Sequence, residues 1–131
     1  MKKEITIKSQ VENLRIVEKL IDDISLELDL SDELYGNVLV ATMEATNNAI
    51  IHGNKSDPEK EVLVTFIKTD NEISINIKDQ GKGFDYSKVP DPTSPENIEK
   101  INGRGVYLMK RLSDDISFED DGRVVELKFS L

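Results

Sequence analysis

Val38-Leu39-Val40-Ala41-Thr42-Met43-Glu44-Ala45-Thr46-Asn47-Asn48-Ala49-Ile50-Ile51-His52-Gly53-Asn54 is a largely apolar stretch interrupted by Glu44, Asn47 and Asn48, with no Lys or Arg in it. Glu44, Asn48 and His52 fall at i, i+4 and i+8, so an α-helix lines them along one face, with Asn47 one turn from Glu44. A carboxylate and an amide oxygen are hard ligands suited to magnesium, which keeps several waters and takes its other ligands from nucleotide phosphates. In the same place Glu44 could act through water or accept a proton. A solvated helix face with local hydrogen bonds accounts for these residues equally well, since polar helix positions usually face water.

Upstream, Ser31 can cap this helix, and Asp32 and Glu33 complement the positive end of its dipole; Gly53-Asn54 stops it. Val11, Leu14, Val17, Leu20, Ile21, Ile24 and Leu28 recur at helical spacing and predict an amphipathic helix over 11–28. Glu4 to Lys8 alternates as a half-buried strand. Downstream, Glu61–Thr69 and Glu72–Asp79 read as strands paired through Asp70-Asn71, with Ile73, Ile75 and Ile77 on one buried face. Gln80 to Asn102 holds glycines, Pro90, Pro92 and Pro95 and reads as loop, apart from a short turn over 96–101; loops of that length are usually functional or mobile. Gly105–Leu112 returns to helical spacing, and Ile116–Glu119 with Val124–Leu131 form a closing hairpin turned by Asp121-Gly122. This order predicts an α+β fold: a two-layer sandwich with helices on one face of a mixed, mostly antiparallel sheet.

The chain has 131 residues, 37% hydrophobic and 33% charged, the size and balance expected of one domain spanning residues 1–131. A formal net charge of −9 repels phosphate backbones and anionic lipid, which argues against nucleic-acid and membrane partners. No apolar run approaches the roughly 20 residues that cross a bilayer, and Met1-Lys2-Lys3-Glu4 leads into no signal-like stretch, so a cytoplasmic location is expected. With no Cys and a single His, neither a disulfide framework nor a zinc cluster is expected.

Two further segments bear on chemistry. Asp79-Gln80-Gly81-Lys82-Gly83 closes an alternating strand: Asp79 offers acceptors for an adenine amino group, while Gly81 and Gly83 let backbone approach closely. A plain glycine turn uses the same residues for conformational reasons. Asn102-Gly103-Arg104-Gly105 precedes the helix expected to begin near Val106, where free amides and the helix dipole suit a phosphate. No Gly-Lys-Ser/Thr follows and no third glycine is present, so this is neither a Walker loop nor a dinucleotide fingerprint.

Taken together, the acidic amide-bearing helix, the Asp-x-Gly-x-Gly strand end and the Gly-x-Gly helix start resemble the Bergerat-type ATP-binding fold. That fold is shared by gyrase, a heat-shock chaperone, histidine kinases and mismatch-repair ATPases. Glu44-Ala45-Thr46-Asn47-Asn48-Ala49-Ile50-Ile51-His52-Gly53-Asn54 is most similar to the anti-sigma-factor serine kinases of this superfamily. The resemblance implies ATP and Mg2+ as cofactors. It implies Glu44 as general base or water-positioning carboxylate, Asn48 as magnesium ligand and Asp79 as the adenine-reading residue. It also implies that Gly81 and Gly83 shape the pocket, that Gly103, Arg104, Gly105 and Val106 cradle phosphate, and that His52 is structural. Relatives often carry Thr in the last hairpin, where a hydroxyl assists adenine binding; this chain has Gly122-Arg123-Val124-Val125 there.

The function implied is transfer of the ATP γ-phosphate to a serine of an anti-sigma-factor antagonist, by a protein that also holds a sigma factor or other regulator. Pairing through an equivalent surface is common among such kinases and admits a homodimer. The alternative is a nucleotide-gated binding module that switches partners without transferring phosphate. A histidine-kinase catalytic half is not expected, because no helical hairpin with a phosphoacceptor His precedes the domain. Gyrase-like or mismatch-repair activity is not expected either, because those relatives need a following domain and this chain ends at Leu131.

Overall fold

The structure is a computed structural model that describes residues 1–81 and 101–131, with backbone only for 101–104. Strand β1 (Lys2–Lys8) leads through a 3₁₀ turn (Val11–Asn13) into helix α1 (Leu14–Leu28), and α2 (Asp32–Asn48) follows. Next come β2 (Glu61–Lys68), β3 (Glu72–Lys78), α3 (Ile101–Leu112), β4 (Asp115–Glu119) and β5 (Val124–Ser130). The strands form one sheet in the order β1-β2-β3-β5-β4, and all four pairings are antiparallel. The α+β reading therefore holds, with a sheet antiparallel throughout its described strands rather than mixed.

Strand periodicity builds the core. Val62, Val64 and Phe66 on β2, Ile73, Ile75 and Ile77 on β3, and Val125, Leu127 and Phe129 on β5 alternate onto one face and are buried. Register aligns them, with Phe66 opposite Ile75 and Ile75 opposite Leu127. Val17, Ile21 and Ile24 of α1, Val38, Ala41 and Ala45 of α2, and Val106 and Met109 of α3 complete the same cluster. Each fully buried Ile, Leu or Phe contributes about 1.5–3 kcal/mol relative to exposure, so this layer carries the fold.

Local signals set the boundaries. Helix α1 ends where Asp29 turns left-handed at φ 51° and the Leu30 N–H bonds the Ser25 carbonyl at 3.1 Å. Ser31, extended, caps α2 by accepting the Leu34 N–H at 3.1 Å. The Asp70-Asn71 turn is closed by the Thr69 N–H on the Glu72 carbonyl at 3.0 Å. The last hairpin turns earlier than expected: Asp120, Asp121 and Gly122 all have positive φ, and the Arg123 N–H bonds the Asp120 carbonyl at 3.1 Å. Asp tolerates that region, so the turn needs no glycine at its first two positions.

Two expectations are corrected. Residues 11–13 wind as 3₁₀ before α1 begins. Helix α3 starts at Ile101, so Asn102, Gly103, Arg104 and Gly105 lie within its first turns rather than before it. Glycines weaken a helix intrinsically, but tertiary packing overrides propensity, and here Val106 and Met109 anchor α3 in the core. The loop expected over residues 80–102 lies outside the described residues from 82 to 100.

Candidate functional site

The end of α2 leaves the α form. From Ala49 to Gly53 the chain winds as a π-helix, and the Asn54 N–H bonds the Ala49 carbonyl five residues back at 2.8 Å. In a π turn the i+5 residue replaces i+4 beneath position i, so Gly53 rather than His52 continues the line through Glu44 and Asn48. The i+8 alignment of His52 expected from α-helical spacing is thereby lost. His52 Nε2 is buried with no hydrogen-bond partner among the described residues, and burial, helped by the Lys55 charge, holds its pKa below the ordinary value. A half-buried ring whose pKa is lowered suits the structural part the resemblance gave it.

Asn54 anchors this turn. Fully buried, it donates through Nδ2 to Ser9 Oγ at 2.7 Å and to the Glu61 carbonyl at 3.0 Å, and its Oδ1 accepts the Gln80 N–H at 2.7 Å. One amide thus ties the helix end to the end of β1, the start of β2 and the exit of β3.

Asp79 stands at that exit. Its N–H bonds the Arg123 carbonyl at 2.9 Å, continuing the β3–β5 ladder one residue past Lys78. The residue is 7% exposed; carboxylate Oδ1 accepts the Gly81 N–H at 2.8 Å, and Oδ2 has no hydrogen-bond partner among the described residues. The wall behind it is Gly53, where a Cβ would overlap the carboxylate; likewise a Cβ on Gly81 would overlap the Gly53 carbonyl oxygen. Glycine at both positions follows from this three-way contact. Burial raises the Asp79 pKa, opposed by the Gly81 N–H and the charges of Arg123 and Lys60 and reinforced by Asp120. Arg123 Nε donates to the Gly81 carbonyl at 2.7 Å.

Asn48 faces α3. A Cβ on Gly105 would come within 2.8 Å of Asn48 Nδ2, so Gly105 admits the amide between the two helices. Asn48 Oδ1 is buried and has no hydrogen-bond partner among the described residues. An orphaned amide oxygen is the donor a hard cation takes, so the residues present fit magnesium. Glu44, half-exposed one turn earlier, has no hydrogen-bond or ion-pair partner among the described residues.

The structure thus brings Asp79, Gly81 and Gly53 together at one end of α2 and joins Asn48 to Gly105 further along it. The phosphate segment needs revision. With α3 running from Ile101, the N–H groups of Gly105 and Val106 fall within the helical ladder rather than at its free end. Val106 is a core residue, 4% exposed. The side chain of Arg104 and all of Gly83 lie outside the described residues. Sequence alone marks Gly53-Asn54 as a helix stop and the end of the family motif, and Arg123 as a departure, and gives neither its contacts here.

The family profile described as histidine kinase-like ATPase domain matches residues 7–129. This chain belongs to that family. The ATPase domain is 35% identical over 104 residues to an anti-sigma F factor of Heyndrickxia coagulans, covering 74% of this chain and 69% of that one. It is 29% identical over 127 residues to the serine-protein kinase RsbW of Bacillus licheniformis, covering 92% and 79%. The equivalent kinase of Oceanobacillus iheyensis is 26% identical over 123 residues, covering 89% and 78%. Among solved structures, one of RsbU and RsbW domains from Mycobacterium tuberculosis aligns with a TM-score of 0.69 at 14% identity. It covers 99% of this chain, which spans 32% of that protein, and the likeness establishes the fold.

Proposed function

We propose that this ATPase domain binds magnesium-ATP, transfers the γ-phosphoryl group to a serine of an anti-sigma-factor antagonist, and holds a sigma factor or comparable regulator. The anti-sigma and serine-kinase names of its relatives support this reading. The observation that carries it is the buried Asp79 carboxylate, with one oxygen uncommitted, set against the end of the helix that bears Asn48 and Glu44. Glu44 and Gly53 lie nine steps apart along the helix, at most about 13 Å at the α-helical rise of about 1.5 Å per residue, a length on the scale that separates an adenine subsite from a terminal phosphate.

In this reading Asp79 Oδ2 accepts the adenine amino group and Gly81 and Gly83 shape the base pocket. Asn48 Oδ1 holds magnesium, which when bound supplies neutralising charge to the phosphate oxygens. First-turn amides of α3, with Gly103 and Arg104, meet the phosphates, and Gly105 keeps Asn48 in place. Glu44 accepts the serine proton. Phosphorylation adds about −1.5 to −2 charge to the antagonist, enough to break a packed interface. Two copies pairing through equivalent surfaces form the working unit. No described helix is long and apolar enough to cross a membrane; a cytoplasmic location follows from the ATP and sigma-factor partners.

The test is incubation of the purified protein with γ-labelled ATP and its antagonist. Serine label that disappears in Glu44→Gln, with ATP binding retained, supports the kinase. ATP binding without label in the wild type would leave a nucleotide-gated binding module.

A further inference from the structure

We infer that Arg123 is a positioning residue of the adenine subsite, holding the Gly81 carbonyl so that the Asp79 carboxylate presents Oδ2 to the base. This rests on the nucleotide reading of Asp79. Three hydrogen bonds close a ring: the Asp79 N–H on the Arg123 carbonyl at 2.9 Å, the Gly81 N–H on Asp79 Oδ1 at 2.8 Å, and Arg123 Nε on the Gly81 carbonyl at 2.7 Å. Each peptide group in the turn after β3 is thereby fixed by the residue it helps to fix. Gly81 cannot relieve the arrangement by shifting toward the helix, because the Gly53 carbonyl already occupies the space beside it.

The atom that bonds Gly81 is Nε, inside the side chain, and not a terminal guanidinium nitrogen. The terminal group is engaged elsewhere: Nη1 donates to the Asp120 carbonyl at 3.2 Å and lies 3.5 Å from the Asp120 and Asp121 carboxylates, which are 54% and 86% exposed. Exposed pairs of that kind contribute little energy but orient the guanidinium plane. The left-handed turn over residues 120–122 therefore aims Arg123, and Nε does the positioning. Removing it releases the Gly81 carbonyl, loosens the Gly81 N–H from Oδ1 and frees the carboxylate to rotate.

Chain length makes the test selective. Glutamine carries its amide nitrogen as many bonds from Cα as arginine carries Nε, so Arg123→Gln keeps the donor and removes the charge. Arg123→Met removes both at similar length, and Arg123→Lys keeps the charge but puts a methylene at the Nε position. Two readouts are taken on folded protein: hydrogen exchange of the Gly81 amide without nucleotide, and ATP affinity by calorimetry. Arg123→Met and Arg123→Lys are expected to speed Gly81 exchange and weaken ATP binding about fivefold, the worth of one ordinary hydrogen bond. Arg123→Gln should restore both to within about twofold of wild type. Unchanged Gly81 exchange in Arg123→Met, or rescue by Lys and not by Gln, overturns the inference. Asp79→Asn is measured alongside: if it leaves ATP affinity unchanged, the nucleotide reading itself fails, whereas a loss there with none in Arg123→Met defeats only the part assigned to Arg123.

Discussion

Asn54 Nδ2 donates to Ser9 Oγ at 2.7 Å, joining the helix end that borders the site to the first strand of the sheet across 45 residues of sequence. Ser9 passes the bond on to the Lys60 carbonyl at 2.8 Å, and both side chains are fully buried. Removing the amide strands the Gln80 N–H and loosens the Glu61 carbonyl and the Ser9 hydroxyl together. Asn54→Ala is expected to cost about 3 kcal/mol in urea unfolding, and Ser9→Ala about 1 kcal/mol. Equal, small losses for the two would mean that Asn54 does not act as the shared anchor.

Two glycines in and just beyond α2 should respond to alanine with opposite sign. At Gly36 an added Cβ meets nothing within 4 Å, so Gly36→Ala gains helix propensity and should stabilise by about 0.5–1 kcal/mol. At Gly53 the same methyl overlaps the Asp79 carboxylate, so Gly53→Ala should abolish detectable ATP binding and lower the melting temperature. Thermal unfolding with calorimetric titration checks both. A Gly53→Ala protein that binds ATP normally would show that the carboxylate does not need its present position.

Asp79 sets stability against function. Burial raises its folded pKa, so between its unfolded value near 3.8 and that raised value the native state binds more protons than the unfolded one. The stability it contributes is therefore full below about 3.8 and is lost as pH rises through the folded pKa; at neutral pH the buried charge is a cost. Asp79→Asn removes that cost while replacing the free acceptor by a donor. The apo variant should melt higher at pH 7 than wild type and bind ATP at least about tenfold more weakly. The affinity of the wild type should also fall on acidification through the raised pKa, a dependence absent from the variant. A melting temperature that drops instead would contradict the burial argument.

These tests concern residues that sequence reading reaches unevenly. Alternation exposes Ile73, Ile75 and Ile77 as one buried face because side-chain direction in a strand is a local property. The pairing of β3 with β5 across the intervening α3 is not local, and neither is the π winding of Ala49–Gly53. A periodic apolar pattern cannot distinguish an α turn from a π turn, so α-helical spacing aligns His52, and not Gly53, with Asn48. The start of α3 was misplaced for a related reason: Gly103 and Gly105 look like helix breakers until Asn48, more than 50 residues away, supplies the contact that needs Gly105. Glu44, Asn48 and Asp79 were legible because chemistry there conflicts with the pattern around it. Arg123 is legible only as a replacement for the usual Thr, because its Nε contact with the Gly81 carbonyl is not local.

Asn48 gives the sharpest test of the metal assignment. Its Oδ1 is buried without a partner among the described residues, a state that costs about 1–3 kcal/mol unless a ligand compensates. A cation at this oxygen would relieve that cost only when bound. Asn48→Ala should therefore leave metal-free ATP affinity within about threefold while removing most of the gain that magnesium confers. Gly105→Ala, whose methyl would reach 2.8 Å from Asn48 Nδ2, should show a weaker form of the same defect by displacing the amide without deleting it. Calorimetry with ATP in magnesium and in EDTA separates the two terms. Equal losses in both buffers would take Asn48 out of the metal site and leave it as a packing contact between α2 and α3.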